Sequence, residues 1–359
     1  MGLGAVLVIG AKSQEFAQDR RHSSELPHTD SEDFLDVPLE CIEVVGRSLL
    51  ERMIERLIAI DVEHISVLLD AKISAFAPSF RHSPKNVKVR GVADMAVAIA
   101  EELADYTQRG IGHAFVNAAN AYAETDLLDL FCFHREARQS VTRTFDRDGS
   151  LDLWVVDCAK AQPSELVILQ KNVDQNGAPP YFIREYVNRL LHLRDVRRLA
   201  ADILRRNCET GASGKQVRPG VWIDDGGEVH RRARIVAPAY VGCASKVKAD
   251  ALITRFTDVE RNCCVDSGTV IEDSSILANT TIGICLDLCH SIASGNKLWN
   301  LERDVAVEIV DPKVMRFTTG PRRWIAHSSE RIPAREEAAV LQKPEMPQRW
   351  QIENNNIQE

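Results

Sequence analysis

The stretch FVNAANAYAETDLLDL, residues 115–130, has the composition of a ligand-facing loop. An apolar segment ends at Val116, a helix is expected from Asp126, and small uncharged residues lie between them. Asn117, Ala118, Ala119 and Asn120 stand there with no carboxylate before Glu124. Loops at the carboxyl end of a strand are where α/β proteins gather binding and catalytic groups. This one is either a working site or the frame of one that has lost its charged groups. Elsewhere, Cys285, Cys289 and His290 bring thiol and imidazole donors close together, but no fourth ligand stands at useful spacing, so no metal is expected. The GK of ETGASGKQ (209–216) lacks the spacing and the following Ser/Thr of a phosphate loop, and the stretch reads as a linker. Arg231, Arg232 and Arg234 read as a solvated basic turn.

The elements that must position the 115–130 loop alternate between strand and helix. AVLVI (5–9) reads as a buried strand bounded by Gly10. Ser48 and Glu51 make a capping box, after which Leu49, Leu50, Met53, Ile54, Leu57 and Ile58 follow at helical spacing. ISVLL (65–69) is the next strand, and Val92 to Leu103 repeats the helical pattern. His113 to Val116 reads as strand, Asp126 to Gln139 as helix, LDLWVV (151–156) as strand, and Val196, Leu199, Ala200, Ile203 and Leu204 as a last helix. Strands separated by helices of this length predict an α/β fold with a doubly wound, mostly parallel sheet over residues 1–208.

Beyond the linker the period changes to six. Aliphatic residues stand at Val217, Ile223, Val229, Ile235, Val241, Val247, Ile253, Val259, Val265, Ile271 and Leu277, and a small residue follows almost every one of them four positions later. A helix has a period of 3.6 and a plain strand a period of two, so neither explains this. A chain that turns a corner every six residues does, with the aliphatic side chains stacked inside a prism over 217–282. The register is lost at Gly283, so 283–311 is expected to cap the open end, and 312–359 reads as a tail, partly disordered.

Length and composition bound the rest. The chain has 359 residues, 45% of them hydrophobic, and no apolar run approaching a membrane span. A net charge of −8 argues against general nucleic-acid binding. Nine cysteines without framework spacing suit reduced thiols and a cytoplasmic location.

PLECIEVVGRSLLERMIERLIAIDVEHISVLLD (38–70) resembles a segment of the sugar-1-phosphate nucleotidyltransferases, mannose-1-phosphate guanylyltransferases among them. The resemblance continues through VNAANAYAETDLLDLFCFHRE (116–136) and EYVNRLLHLRDVRRLAADIL (185–204). The hexads resemble the left-handed parallel β-helix of hexapeptide-repeat proteins, which also follows such domains in that family. The resemblance implies a reaction in which a sugar 1-phosphate attacks a nucleoside triphosphate and expels pyrophosphate. Catalysis there rests on a Gly-rich loop, a basic residue and Mg²⁺ held by two aspartates. At the matching positions this chain has Gly10, Ala11, Lys12 and Ser13 for the loop, Leu39 for the lysine, and Asn120 and Arg189 for the two aspartates. An amide oxygen is a poor Mg²⁺ ligand and arginine repels the ion, although Arg189 could bind a phosphate directly. About thirty residues separate Trp154 from Tyr186, too few for the family's sugar-contacting insertion.

These readings imply a nucleotidyltransferase-fold protein whose metal-dependent catalysis is lost, acting as a binding or assembly subunit near polysaccharide biosynthesis. A nucleotide or sugar nucleotide is its expected ligand, no cofactor is expected, and self-association would run through the β-helix. One alternative is an active nucleotidyltransferase with an atypical site, which would need Mg²⁺. Another is an acyltransferase using His230 inside the repeat, or His290 just after it, as base.

Overall fold

A computed structural model describes residues 2–10, 34–35, 37–71, 86–118, 121–160 and 179–318. The first half is built on seven strands: β1 (Gly2–Ile9), β2 (His64–Asp70), β3 (Val87–Val92), β4 (Ile111–Ala118), β5 (Val141–Asp146), β6 (Gly149–Asp157) and β7 (Tyr181–Phe182). They lie in the order β7-β5-β6-β4-β1-β2-β3. β3, β2, β1 and β4 are mutually parallel, whereas β6 runs antiparallel to both its neighbours.

Alternation along β1 explains why helices cover both faces. Leu3, Ala5, Leu7 and Ile9 pack against α1 (Leu49–Ala59) and α3 (Leu127–Ala137). Val6 and Val8 point the other way, into a cluster with Ala98, Ile99, Leu103 and Tyr106 of α2 (Met95–Gln108). Each of these three helices starts where a side chain satisfies a free N–H group. The Ser48–Glu51 capping box is present, Asp94 accepts from Val97, and Asp126 accepts from Leu128 and Asp129. Val92, expected in a helix, instead closes β3, and α2 begins only at Met95.

The second half is a three-sided coil. One parallel sheet contains Val221–Ile223, Ala239–Val241, Thr257–Val259, Ser275–Ile276 and Ser291–Ser294. Glu228–Val229, Lys246–Val247, Cys264–Val265 and Thr280–Ile282 form a second parallel ladder. Arg234–Ile235, Leu252–Thr254, Val270–Glu272 and Asp287–Cys289 form the third. Partners in the early coils are eighteen residues apart, as Val221 with Ala239 and Ala239 with Thr257. Ile235, Val241, Val247, Ile253, Val259, Val265 and Ile271 fill the interior as expected.

Two parts of the hexad reading change. Val217 lies on an antiparallel strand, Lys215–Arg218, that covers the first coil, and it is exposed. After Asp273 the spacing drops to seventeen: Val259 faces Ile276, and Val265 faces Ile282. Ile276 takes the interior slot expected for Leu277, and the coil continues past Gly283 to Ser294. The cap is made of Lys297–Asn300 and Val305–Glu308, with Met315–Phe317 from the expected tail, all antiparallel. Residues 319–359 lie outside the described residues.

The halves share one core. Helix α4 (Leu193–Arg205) buries Leu193, Val196, Leu199, Ala200, Ile203 and Leu204 in a cluster that also holds Tyr122 and Val44 from the first half. Tyr240, Leu277, Ile292 and Trp299 of the coil join the same cluster. The expected linker is pinned rather than free. Glu124 accepts the N–H groups of Glu209 (2.7 Å) and Thr210 (2.8 Å), and Ser213 donates to Val45. Buried Arg52 donates to the carbonyls of Gly211 and Val44. The expected boundaries at 208 and 216 therefore fall inside one compact unit.

Candidate functional site

The strand order reverses beside β1: the chain moves from β1 to β2 and β3 on one side, and β4 returns on the other. A crevice opens at such a reversal, outside the carboxyl ends of the two strands. Here those ends are Ile9 and Gly10 on β1, and Asn117 and Ala118 on β4. Gly10 leaves β1 with φ 70, while Ala11, Lys12, Ser13 and Asn120 lie outside the described residues.

Two further expected positions have been given other work. Leu39 sits in a single 3-10 turn, Leu39–Cys41, and packs against the core shared by the two halves. Arg189 follows Asn188 on a short strand, Val187–Arg189, antiparallel to Ala121–Ala123, where it faces Ala121. Its guanidinium grips Asp146 at the end of β5: Nε donates to Oδ2 at 3.2 Å, and Nη2 donates to Oδ1 and to the Gly149 carbonyl (2.9 Å). Burial pushes the Asp146 carboxyl up, but the hydrogen bonds from Arg189 and from backbone N–H groups outweigh it and hold the group below the usual carboxylate range. The guanidinium that could have met a phosphate is thus consumed within the chain.

Glu40, which the sequence reading passed over, belongs at this crevice. Its carboxyl group is hydrogen-bonded by the Gly10 backbone, and burial pushes it up to about 7 despite that bond. The available signal was an acid set among apolar residues in Pro38-Leu39-Glu40-Cys41-Ile42.

The Gly46–Arg47 turn faces the coil. The carboxylate of Glu260, fully buried, accepts the N–H groups of Val45 (2.6 Å) and Gly46 (2.9 Å). Desolvation first, and neighbouring Asp258 and Glu43 next, raise Glu260 well above the ordinary carboxylate range.

The two histidines do not converge. His230 is exposed after Glu228–Val229 on the second ladder, and its Nδ1 accepts the Arg232 N–H at 3.2 Å. His290 follows Asp287–Cys289 on the third, with Nδ1 2.7 Å from Asp273 Oδ2. Cys285 and Cys289 beside it are exposed free thiols.

No known protein-family model matches this chain, and no curated protein matches it either. Among the described residues, no helix is long and apolar enough to cross a membrane.

Proposed function

We propose that the chain is a nucleotidyltransferase-fold protein related to sugar-nucleotide synthesis, with its metal-dependent catalysis lost, acting as a binding or assembly subunit. The commitment of Arg189 to Asp146 carries this reading. Phosphoryl transfer of this class depends on neutralising phosphate charge. Here the residue at one metal position is an arginine already paired, and the residue at the lysine position is a packed leucine. Glu40 adds a carboxyl group beside Gly10, and above pH 7 its negative charge would oppose a triphosphate. The strand-order reversal and the helices on both faces of the sheet support the nucleotidyltransferase-like reading of the first half. The three parallel ladders support a β-helix, its left hand resting on the hexapeptide resemblance alone. The core shared through α4 supports a scaffold role, because it makes the coil part of the same body as the crevice.

The test incubates purified protein with Mg²⁺, nucleoside triphosphates and sugar 1-phosphates and measures pyrophosphate release. No turnover is expected, while a nucleotide or nucleotide sugar should raise the unfolding temperature, because a ligand that binds only the folded state stabilises it. Pyrophosphate release above a heat-inactivated control would sink the noncatalytic reading.

A further inference from the structure

A second cavity, of about 280 Å³, lies where α4, the third ladder and the cap meet, lined by Arg197, Asp273, His290, Leu301 and Glu302. Each nitrogen of its one guanidinium already has an acceptor within the protein. Arg197 gives Nη2 to Asp273 Oδ1 (2.7 Å), Nη1 to Asp258 Oδ1 (3.3 Å) and Nε to the Asp273 carbonyl (3.4 Å). The other Asp273 oxygen faces His290 Nδ1 at 2.7 Å; in the tautomer with the proton on Nδ1, Nε2 is free to accept a hydrogen bond. Among the described residues, Nε2 has no protein partner, and the exposed Glu302 carboxylate has none either. In that tautomer both unpartnered polar groups are hydrogen-bond acceptors, and Leu301 supplies an apolar wall.

The charges point the same way. Arg197 alone faces both Asp258 and Asp273, and nearby Arg194 faces Asp304, so the Glu302 carboxylate adds to a surplus of carboxylates around the cavity. A phosphate or carboxylate would meet that surplus of negative charge there. A ligand that brings hydrogen-bond donors and positive charge is complementary. The volume leaves room for one molecule of monosaccharide size.

We propose that this cavity is a binding site for a small primary amine, with the ammonium held between Glu302 and His290 Nε2 and the carbon skeleton resting on Leu301. The site is independent of the β1–β4 crevice and of whether that crevice binds nucleotide. It joins α4 to the coil and the cap, so an occupant would touch both halves of the molecule.

The probe pair is glucosamine and glucose, which have the same ring and differ in one ammonium replacing one hydroxyl. With the full-length chain, glucosamine should shift the His290 imidazole nitrogen resonances and bind at least about tenfold more tightly than glucose. Glu302→Gln, at an exposed position, should weaken glucosamine about tenfold while leaving the ligand-free unfolding temperature unchanged. Equal binding of the two sugars, glucosamine binding insensitive to Glu302→Gln, or an unmoved His290 signal at saturating glucosamine would each overturn the proposal. Tighter binding of inorganic phosphate than of glucosamine would overturn it too.

Discussion

Arg189 and Asp146 define a structural clasp at the position where the family resemblance expects a metal ligand. The Asp146 side chain is only 7% exposed, so removing its partner leaves a buried charge uncompensated. Arg189→Ala should therefore cost about 3 kcal/mol in urea denaturation, with Asp146→Ala/Arg189→Ala costing less than the sum of the single changes. Unchanged stability in Arg189→Ala would return the arginine to the list of free phosphate ligands. The sequence could not reveal this pairing, because the partners are 43 residues apart and neither belongs to a repeat. His134 is a second buried polar group with a measurable consequence. Its Nδ1 lies 2.8 Å from Thr142 Oγ1, and burial first, then neighbouring His113, lower it from 6.5 to about 4. Below pH 6.5 the unfolded chain takes up a proton that the folded chain refuses until about pH 4. This contribution is thus complete above pH 6.5 and declines as pH falls through that window. Stability at pH 5 should be lower by up to about 2 kcal/mol from this residue, and His134→Gln should flatten the slope. A pH profile identical in the variant would assign the slope to other groups.

At the level of elements, the turn between Glu43–Val44 and Arg47–Ser48 matters more than its size suggests. Val45 and Gly46 take φ values of 52 and 90, and both aim their N–H groups at Glu260. A Cβ on Gly46 would stand 2.1 Å from Tyr240 Oη and 2.7 Å from Ser213 Cβ. Gly46→Ala should cost about 2–4 kcal/mol by combining overpacking with a left-handed backbone, measured by chemical denaturation. A loss below about 0.5 kcal/mol would mean that the turn does not hold the halves together. Which elements were legible follows from what their buried faces contain. α4 was readable because Val196, Leu199, Ala200, Ile203 and Leu204 are apolar at helical spacing and are indeed buried. The coil was readable because its interior residues recur every six positions. β5 was not, because VTRTFD buries Thr142, Thr144 and Asp146, and a reading of apolar period is blind to a strand whose inner face is polar. The crevice was half legible: the strand ends follow from the sequence, while Glu40 reaches Gly10 only through the fold of the 3-10 turn at 39–41.

For the whole molecule, the shared cluster around α4 predicts cooperative behaviour. Neither half can unfold without exposing the apolar face of α4 or its partners Tyr240, Ile292 and Trp299. Calorimetry should therefore show a single transition in which coil and α/β half melt together; two separated transitions would refute the coupling. The acids and aromatics of the docking face carry a partial sequence signal. Trp222, Tyr240 and Asp258 stand at the same place on successive coils, and Tyr240 and Asp258 are buried there although they point away from the coil interior. The residue missing after Asp273 gives the coil a further property. In a one-dimensional crystal a missing unit is a dislocation, and everything beyond it is displaced in phase without being disordered. Here the displacement puts Ile276 inside the coil and gives Leu277 to the core beneath α4. Inserting one residue after Asp273 would restore the six-residue step from Ile271 to Ile276, with Ile276 still inside and Leu277 still in the core beneath α4, and would leave the second short step, Leu288 to Ala293, in place.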